Sequence, residues 1–260
     1  MYNMENGGMN ANEKENDVEE EWDRTTEIVR AVRSVGGFQN FAKQHTSEVS
    51  GFLSEPDHVC CIDERIPHEG AISIAGSGIL IKDDPEALSV LVDSLKAKKI
   101  KKVFMHENCG AVGLYANSKG ISLEDANKEA LEWAEKLTKL LGGDEVQKIL
   151  PVDINFHNAQ CAYVMLEDVS GIGKSFPRGF EISSCVSFPK MLDQVKVSID
   201  IALGGHGFGT LFTKEDPFTV VAVAKNTDEL STVKKHEDLV QIVGCYNERA
   251  VIDGFVVAQN

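Results

Sequence analysis

The sequence has no long apolar run free of charge, and this absence is the first constraint on what the protein does. A membrane-spanning helix needs about 20 predominantly apolar residues, so we expect no membrane span. The first residues also lack the basic and apolar segments of a secretory signal, which leaves the cytoplasm as the expected compartment. In that compartment the six cysteines are expected to be thiols or metal ligands rather than disulfides.

Positive charge is scarce, with Lys+Arg 26 against Asp+Glu 41 and a formal net charge of -15. This balance argues against a nucleic-acid backbone or an anionic membrane surface as the partner. Much of the acidic surplus lies in Met1–Trp22, where seven acids accompany Lys14 alone. We therefore expect residues 1–20 to be a disordered acidic tail, with a helix beginning near Glu20.

Linkers and repeats are also missing, since no Pro/Ser-rich stretch and no internal repeat interrupts the sequence. The chain has 260 residues, 42% of them hydrophobic and 26% charged, which is the composition of a soluble globular protein. The simplest prediction is a single domain over residues 21–260.

Helical patterns follow. The segment "DPEALSVLVDSLKAK" has a helical apolar stripe, with Asp84 as its N-cap and Pro85 at its first position. The segment "SLEDANKEALEWAEKLTKLL" has a second stripe, and Ser122 and Asp125 have the spacing of a capping box. The segment "TDELSTVKKHEDLVQIV" predicts a further helix.

Strand patterns alternate with these helices. They are "KKVFMHE", "VDINFHNA", "FTVVAVAK" and "AVIDGFVVAQ". The segment "VKVSIDIAL" fits both a period of two and a helical face, and we favour a strand. Strands separated by helices predict an α/β fold, a mainly parallel β-sheet flanked by helices on both faces.

The segment "VCCIDERIPHEG" places two cysteines beside charged residues at the end of a predicted strand. Cys61 ends this strand, while His106 ends the strand of "KKVFMHENCGA" and Cys109 follows it. Because the carboxyl ends of neighbouring strands meet where ligands bind, we expect these three side chains to converge. Two cysteines and one histidine are the ligands of a catalytic zinc site, which keeps its fourth position for water. The neighbouring Cys60 points to the opposite face, and we interpret it as a small buried residue.

The same residues resemble a known family. The pattern C-x-D-x-R, here Cys61 to Arg65, followed by H-x-x-C-G, here His106 to Gly110, is similar to the signature of the β-class carbonic anhydrases. "CIDER" with "HENCGA" looks closest to the short, minimal branch of that class. The resemblance covers about Val59 to Leu114.

This resemblance implies a β-carbonic-anhydrase-like α/β fold with zinc held by Cys61, His106 and Cys109. It implies that Asp63 and Arg65 form a hydrogen-bonded pair beside the metal. It also implies reversible hydration of CO2 to bicarbonate, because zinc lowers the pKa of bound water enough to supply hydroxide at neutral pH. Asp63 would orient that hydroxide and Arg65 would keep Asp63 ionised.

Two alternatives stay open. The first is hydrolysis of carbonyl sulfide or carbon disulfide at the same metal site. The second is a zinc-binding sensor or assembly protein without catalysis. Retention of Asp63 and Arg65 argues against the second, whereas Ser73 and Ile74 favour it, because the family has Arg and Asn where these residues stand.

The assembly is predicted from the opening helix "EEEWDRTTEIVRAVRSV", in which Ile28, Val29 and Val32 lie on one side. The β-class relatives commonly bury such a helix against a partner subunit, so we expect a homodimer or a dimer of dimers. One further pair, His157 and Cys161, has metal-like spacing, but a strand with scattered polar residues explains it better.

Overall fold

The computed structural model of the protein describes residues 11–49, 55–144, 148–152, 156–166 and 171–257. The chain opens with the helices α1 (Ala11–Ser34), α2 (Phe38–Gln44) and α3 (Thr46–Val49). Disorder was therefore wrongly predicted for residues 11–20, and residues 1–10 lie outside the described residues.

The first sheet comprises four parallel strands in the order β2-β1-β3-β4. Its strands are β1 (His58–Cys60), β2 (Ala71–Ser73), β3 (Lys102–His106) and β4 (Lys148–Leu150). A 3-10 segment (Ala75–Ile81) and α4 (Pro85–Ala97) connect β2 to β3, and α5 (Gly110–Lys119) and α6 (Leu123–Leu140) connect β3 to β4.

The second sheet also comprises four parallel strands, in the order β6-β5-β7-β8. Its strands are β5 (Cys161–Met165), β6 (Gly179–Ser183), β7 (Phe218–Ala224) and β8 (Ala250–Val256). The connections are α7 (Phe188–Leu203) and the 3-10 turn Gly209–Leu211 before β7, then α8 (Thr227–Lys234) and α9 (Glu237–Gly244) before β8. The α/β class is confirmed, with two parallel sheets flanked by helices.

The predicted helix starts are confirmed in detail. The side chain of Asp84 accepts a hydrogen bond from Ala87 N, and Pro85 occupies the first turn of α4. Ser122 Oγ accepts a hydrogen bond from Asp125 N at the start of α6. Each cap satisfies a backbone N–H that has no partner inside its helix.

Three local predictions are wrong. "VKVSIDIAL" lies in α7, because the residues buried in this segment recur at helical spacing, at Val195, Ser198, Ile199 and Ala202. "TDELSTVKKHEDLVQIV" forms the two helices α8 and α9 rather than one. In "VDINFHNA" residues 156–159 form no strand, and residues 153–155 lie outside the described ones.

Buried apolar side chains of both sheets belong to one cluster, which includes Val59, Val103, Val164 and Phe218. A smaller cluster lies where α2 covers the second sheet, with Phe38 and Phe41 packed among residues such as Tyr163 and Phe255. Burial of this much apolar surface is the main stabilising contribution in a fold of this kind. Within the residues that the structure describes, every helix is too short or too polar to cross a bilayer.

Candidate metal centre

The three predicted metal ligands lie at the carboxyl end of the first sheet. Cys61 directly follows β1, His106 is the last residue of β3, and Cys109 is the N-cap of α5. The strands β1 and β3 pair in parallel, with Val59 opposite Val103, so their carboxyl ends are adjacent. The parallel register therefore brings the three side chains together, as the sequence predicts.

The spacing of the ligand atoms fits a tetrahedral zinc ion. The Sγ atoms of Cys61 and Cys109 are 3.8 Å apart. One ligand atom from each of Cys61, His106 and Cys109 lies within 4.8 Å of the other two. Two sulfurs that each bind a tetrahedral zinc at about 2.3 Å are separated by about 3.8 Å. The sulfur–sulfur distance therefore needs no rearrangement for zinc to bind.

His106 has a ring orientation suited to metal binding through Nε2. Its Nδ1 lies 2.7 Å from the carbonyl oxygen of Glu107, so Nδ1 carries the proton and donates it to that oxygen. Once His106 gives up its second proton, the lone pair is on Nε2, a buried atom without a hydrogen-bond partner among the described residues. A metal-binding histidine is commonly fixed by such a bond on its other nitrogen. The orphaned Nε2 thus supports a metal at this position.

The backbone also prepares Cys61 for the thiolate state. The N–H of Gly76 donates to Cys61 Sγ at 3.1 Å. Gly76 has a φ of 56°, and an added Cβ would lie 2.6 Å from Ile79 Cγ2. Only glycine adopts this left-handed turn beside Ile79 without strain, so the residue type at position 76 positions a donor for the sulfur.

The acid–base state of the three residues favours a thiolate next to a positive charge. Burial works against the thiolate, but the hydrogen bond from Cys109 and the charge of His106 hold the pKa of Cys61 well below its usual range. The hydrogen bond to Cys61, together with burial, raises the pKa of Cys109. Burial disfavours charged His106, yet the charge of Cys61 raises the pKa of His106 to about 9. Metal binding by all three residues would therefore release protons.

Asp63 and Arg65 form the predicted pair. Asp63 Oδ1 accepts hydrogen bonds from Arg65 Nε at 2.8 Å and from Arg65 N at 3.0 Å, and Oδ2 accepts one from Arg65 Nη2 at 2.6 Å. Arg65 Nη2 also donates to the carbonyl oxygen of Asn108, directly before Cys109. The guanidinium group thus connects the two motifs.

The carboxylate of Asp63 is ionised and lies beside the metal ligands. Burial would raise its pKa, but the hydrogen bonds from Arg65 lower the pKa of Asp63 to about 2. Its Oδ2 lies 3.6 Å from His106 Nε2. Because both carboxylate oxygens accept hydrogen bonds from Arg65, the Asp63 side chain is fixed in orientation beside the predicted ligands.

Sequence reasoning missed the residues that hold Glu64. The buried Glu64 carboxylate lies 3.0 and 3.1 Å from His157 Nδ1 and accepts a hydrogen bond from Asn158 N at 2.9 Å. His157 stood out in the sequence only through its spacing from Cys161. Cys161 begins β5, whereas His157 precedes that strand. The only hint of this contact in the sequence was the position of Glu64 between Asp63 and Arg65 in "CIDER".

Asp63, Glu64 and His157 form a second group whose ligand-type atoms all lie within 4.8 Å of one another. Arg65 neutralises Asp63, and His157 neutralises Glu64, through the bonds described above. We interpret this group as an ion network that supports the first site rather than as a cation site.

Cys60 and Ser73 lie behind the centre. Cys60 is buried, with its Sγ 3.7 Å from Ser73 Oγ, and burial raises the pKa of Cys60 well above its usual range. This is the inert, buried residue that the sequence predicts. Ser73 is buried too, and its backbone N–H donates to Ser183 Oγ of β6 at 2.9 Å.

A pocket of about 670 Å³ lies near the ion network, lined by the segment after β1, by the segment before β6 and by α1. Glu64, Ile66 and His68 line one side, and Tyr163 and residues 171–174 contribute to the other. None of the three predicted zinc ligands lines this pocket among the residues described. The predicted zinc ligands and Glu64 are all buried.

Comparisons with known proteins add no assignment: no protein-family model matches the chain, and no curated protein or solved structure matches it.

Proposed function

We propose that the protein is a zinc-dependent carbonic anhydrase that reversibly hydrates CO2 to bicarbonate. The observation that carries this proposal is the convergence of Cys61, His106 and Cys109 with the Asp63–Arg65 pair directly beside them. A purely structural zinc site is usually closed by four protein ligands and needs no such pair. The resemblance of the two motifs to the β-class signature supports the same function.

The donor set of the centre suits zinc. A zinc ion held there would lower the pKa of a water ligand from 15.7 to about 7 and so supply a nucleophile at neutral pH. Two thiolates and a neutral imidazole are ligands that zinc accepts in tetrahedral sites. The Gly76 N–H donates a hydrogen bond to Cys61 Sγ. This bond withdraws electron density from the sulfur, so Cys61 would donate less charge to the zinc ion.

Asp63 is suited to orient the nucleophile by accepting a hydrogen bond from it. With a pKa of about 2 it is ionised at neutral pH and has no proton to donate. Arg65 uses both lone pairs of Oδ1, through its Nε and its backbone N–H, and one lone pair of Oδ2, so Oδ2 can accept one further hydrogen bond. The two-point contact with Arg65 is rigid, so it fixes the direction in which the remaining lone pair of the carboxylate points.

The enclosure of the centre favours a very small substrate. The side chains of His106 and Asp63 are 1% and 3% exposed. CO2 is small, uncharged and electrophilic at carbon, so it is suited to an enclosed site next to a nucleophile. Carbonyl sulfide and carbon disulfide share these properties, and their hydrolysis is the alternative reaction at this site.

The proposed compartment is the cytoplasm. All six cysteines are free in the structure, including Cys61 and Cys109 with their close sulfurs. A reducing compartment keeps such thiols available for a metal.

Zinc content and CO2 hydration, measured on the same preparations, test this proposal. The protein should bind about one zinc per chain and hydrate CO2 well above the uncatalysed rate. Cys61→Ser should lose both zinc and activity, because it removes one of three ligands. Cys60→Ser is the matched control, a change of the same residue type next to it, and should keep both.

Other outcomes would replace the proposal. A folded protein that binds no zinc would refute the metal centre. A zinc protein that leaves CO2 unchanged but consumes carbonyl sulfide would establish the alternative reaction. A zinc protein inactive on all three substrates would favour a sensor or assembly role.

A further inference from the structure

The chain contains the same fold twice. From β1 to β4 the strands and α-helices run strand, strand, helix, strand, helix, helix, strand, and from β5 to β8 they run in the same order, with only the 3-10 segments placed differently. Both sheets are parallel, and in both the second strand is outermost, followed by the first, third and fourth. We call β1 to β4 with their helices the first module, and residues 156–257 the second module.

The second module lacks the metal ligands of the first. In the first module Cys61 directly follows the first strand, His106 ends the third strand and Cys109 caps the next helix. The equivalent positions of the second module hold Leu166, Ala224 and Asn226. None of these side chains is a thiolate or an imidazole, so an equivalent zinc site is missing from the second module.

The two modules meet at the segment that surrounds the metal centre. Their outermost strands β2 and β6 lie next to each other, and Ser73 N donates to Ser183 Oγ. Glu181 N donates to Ile62 O at 3.1 Å, directly after Cys61. Ala75 N donates to Gln194 Oε1 at 2.8 Å, directly before Gly76. The second module thus holds the backbone on both sides of the Gly76–Cys61 hydrogen bond.

The opening helix also packs against the second module. The Trp22 ring lies 5.0 Å from the rings of Phe208 and Phe212 in edge-on geometry. Arg33 forms a 2.6 Å ion pair with Asp216. The opening helix α1, for which the sequence predicts packing against a partner subunit, therefore packs against the second module of its own chain.

His157 of the second module lies beside the Asp63–Arg65 pair. Its Nδ1 lies 3.9 Å from Asp63 Oδ1 while it binds the buried carboxylate of Glu64. Its Nε2 would lie 3.5 Å from a Cβ added at Gly110, the residue after Cys109. The ring thus lies between the segment that follows Cys61 and the segment that follows Cys109.

We propose that the second module is a copy of the first that carries no zinc site of its own, and that it acts as a built-in partner by supplying His157 as a positioning residue. This inference rests on the proposed metal centre, but not on the identity of the substrate. His157 neutralises Glu64 and so fixes the backbone on which Asp63 and Arg65 stand. A second copy of the chain is not needed to complete the site.

The variant His157→Phe tests the positioning role, because it keeps an aromatic ring beside Phe180 and removes the nitrogen that binds Glu64. Two readouts that do not depend on activity are zinc affinity, by competition with a chromophoric chelator, and the visible spectrum of the cobalt-substituted protein. Loss of a supporting partner should weaken zinc binding by about 10-fold to 100-fold. The cobalt bands should shift because the ligands are held less uniformly.

Two further variants make the result specific. His157→Gln keeps one donor for Glu64 and should restore most of the zinc affinity and the parent spectrum. His236→Gln is the matched control, a histidine of the second module at the start of α9, and should leave both readouts unchanged. If His157→Phe does not fold, Glu64→Gln replaces it with the same expected result. Parent zinc affinity and an unchanged spectrum in the folded variant would overturn the positioning role.

The number of zinc ions bound per chain and the molecular mass in solution test whether the second module acts as a built-in partner. We expect saturation at one zinc per chain and a monomer by light scattering, with zinc retained on dilution. Two zinc ions per chain, or a homodimer that loses zinc as it dissociates, would overturn this part of the proposal. CO2 hydration plays no part in these readouts, so an inactive protein that passes them refutes only the proposed function.

Discussion

Cys60 and Cys61 are adjacent and chemically identical, yet the structure gives them opposite roles. Cys61 receives the Gly76 N–H and faces Cys109, whereas Cys60 contacts Ser73 inside the sheet. Alternation along an extended segment makes this difference predictable from the sequence, once the partners of Cys61 are identified.

Other residues at the site were not predictable in this way. His157 meets Glu64 across a separation of 93 positions, and no local pattern records that contact. Gly76 was visible in the sequence, but its role depends on a left-handed φ and on the closeness of Ile79. Local spacing reveals ligands on neighbouring strand ends, whereas the residues that support them come from the tertiary fold.

At the residue scale, the depressed pKa of Asp63 predicts how stability changes in acid. The pKa is about 2 in the folded state against 3.8 for the free group. The stabilisation is fully present above pH 3.8 and is lost as the pH falls through 2, and it amounts to about 2 kcal/mol. Urea unfolding of the zinc-free protein at a series of acidic pH values measures it.

The control for this measurement is Asp63→Asn, which keeps the shape and cannot titrate. Its free energy of unfolding should fall less than that of the parent protein over the same pH range. Parallel curves for the two proteins would contradict the ion pair as a source of stability.

At the element scale, the predictable features were those encoded within one helix. Asp84 and Ser122 were recognised as caps because the cap lies within a few residues of the group that it satisfies. The segment of α7 was not recognised, because its apolar residues fit both a strand and a helix. The buried set of Val195, Ser198, Ile199 and Ala202 shows that packing decided the outcome.

The attachment of α1 leads to a prediction for Trp22. This side chain is buried against Phe208 and Phe212. Trp22→Ala should lower the free energy of unfolding by about 3–5 kcal/mol, because it removes a large buried ring and leaves a cavity. Chemical denaturation of the purified variant measures this loss.

Arg24→Ala in the same helix is the control, since the Arg24 side chain is 65% exposed and its ion pair is with Glu21 one turn earlier in the helix. Its effect should stay below about 1 kcal/mol. Equal effects of the two substitutions would mean that α1 is not anchored through Trp22.

At the scale of the whole molecule, the repeated fold was not visible in the sequence. The two modules share element order and strand order. They do not share the residues of the motifs, since Leu166, Ala224 and Asn226 stand where the first module has its ligands. Many apolar sequences satisfy the same parallel sheet, so a fold repeats without a repeated sequence. The single domain over residues 21–260 stays a prediction, and for the assembly the built-in partner leads us to expect a monomer in place of the homodimer that the sequence predicts.

At this scale each part of the molecule has a structural task. The first module holds the three predicted ligands and the Asp63–Arg65 pair, while the second module and α1 contact the segments around them. We propose above all that the metal centre and the Asp63–Arg65 pair act as one catalytic unit on CO2.

The most direct test of that claim is the rate of CO2 hydration by zinc-loaded Asp63→Asn, measured by stopped flow beside the parent protein with zinc content determined for both. Asparagine keeps the shape of the side chain but loses the ionised acceptor, so the account predicts a loss of about 100-fold or more with zinc fully retained. A variant that keeps its zinc and hydrates CO2 at the parent rate would contradict the account, because the Asp63–Arg65 pair would then serve the structure alone.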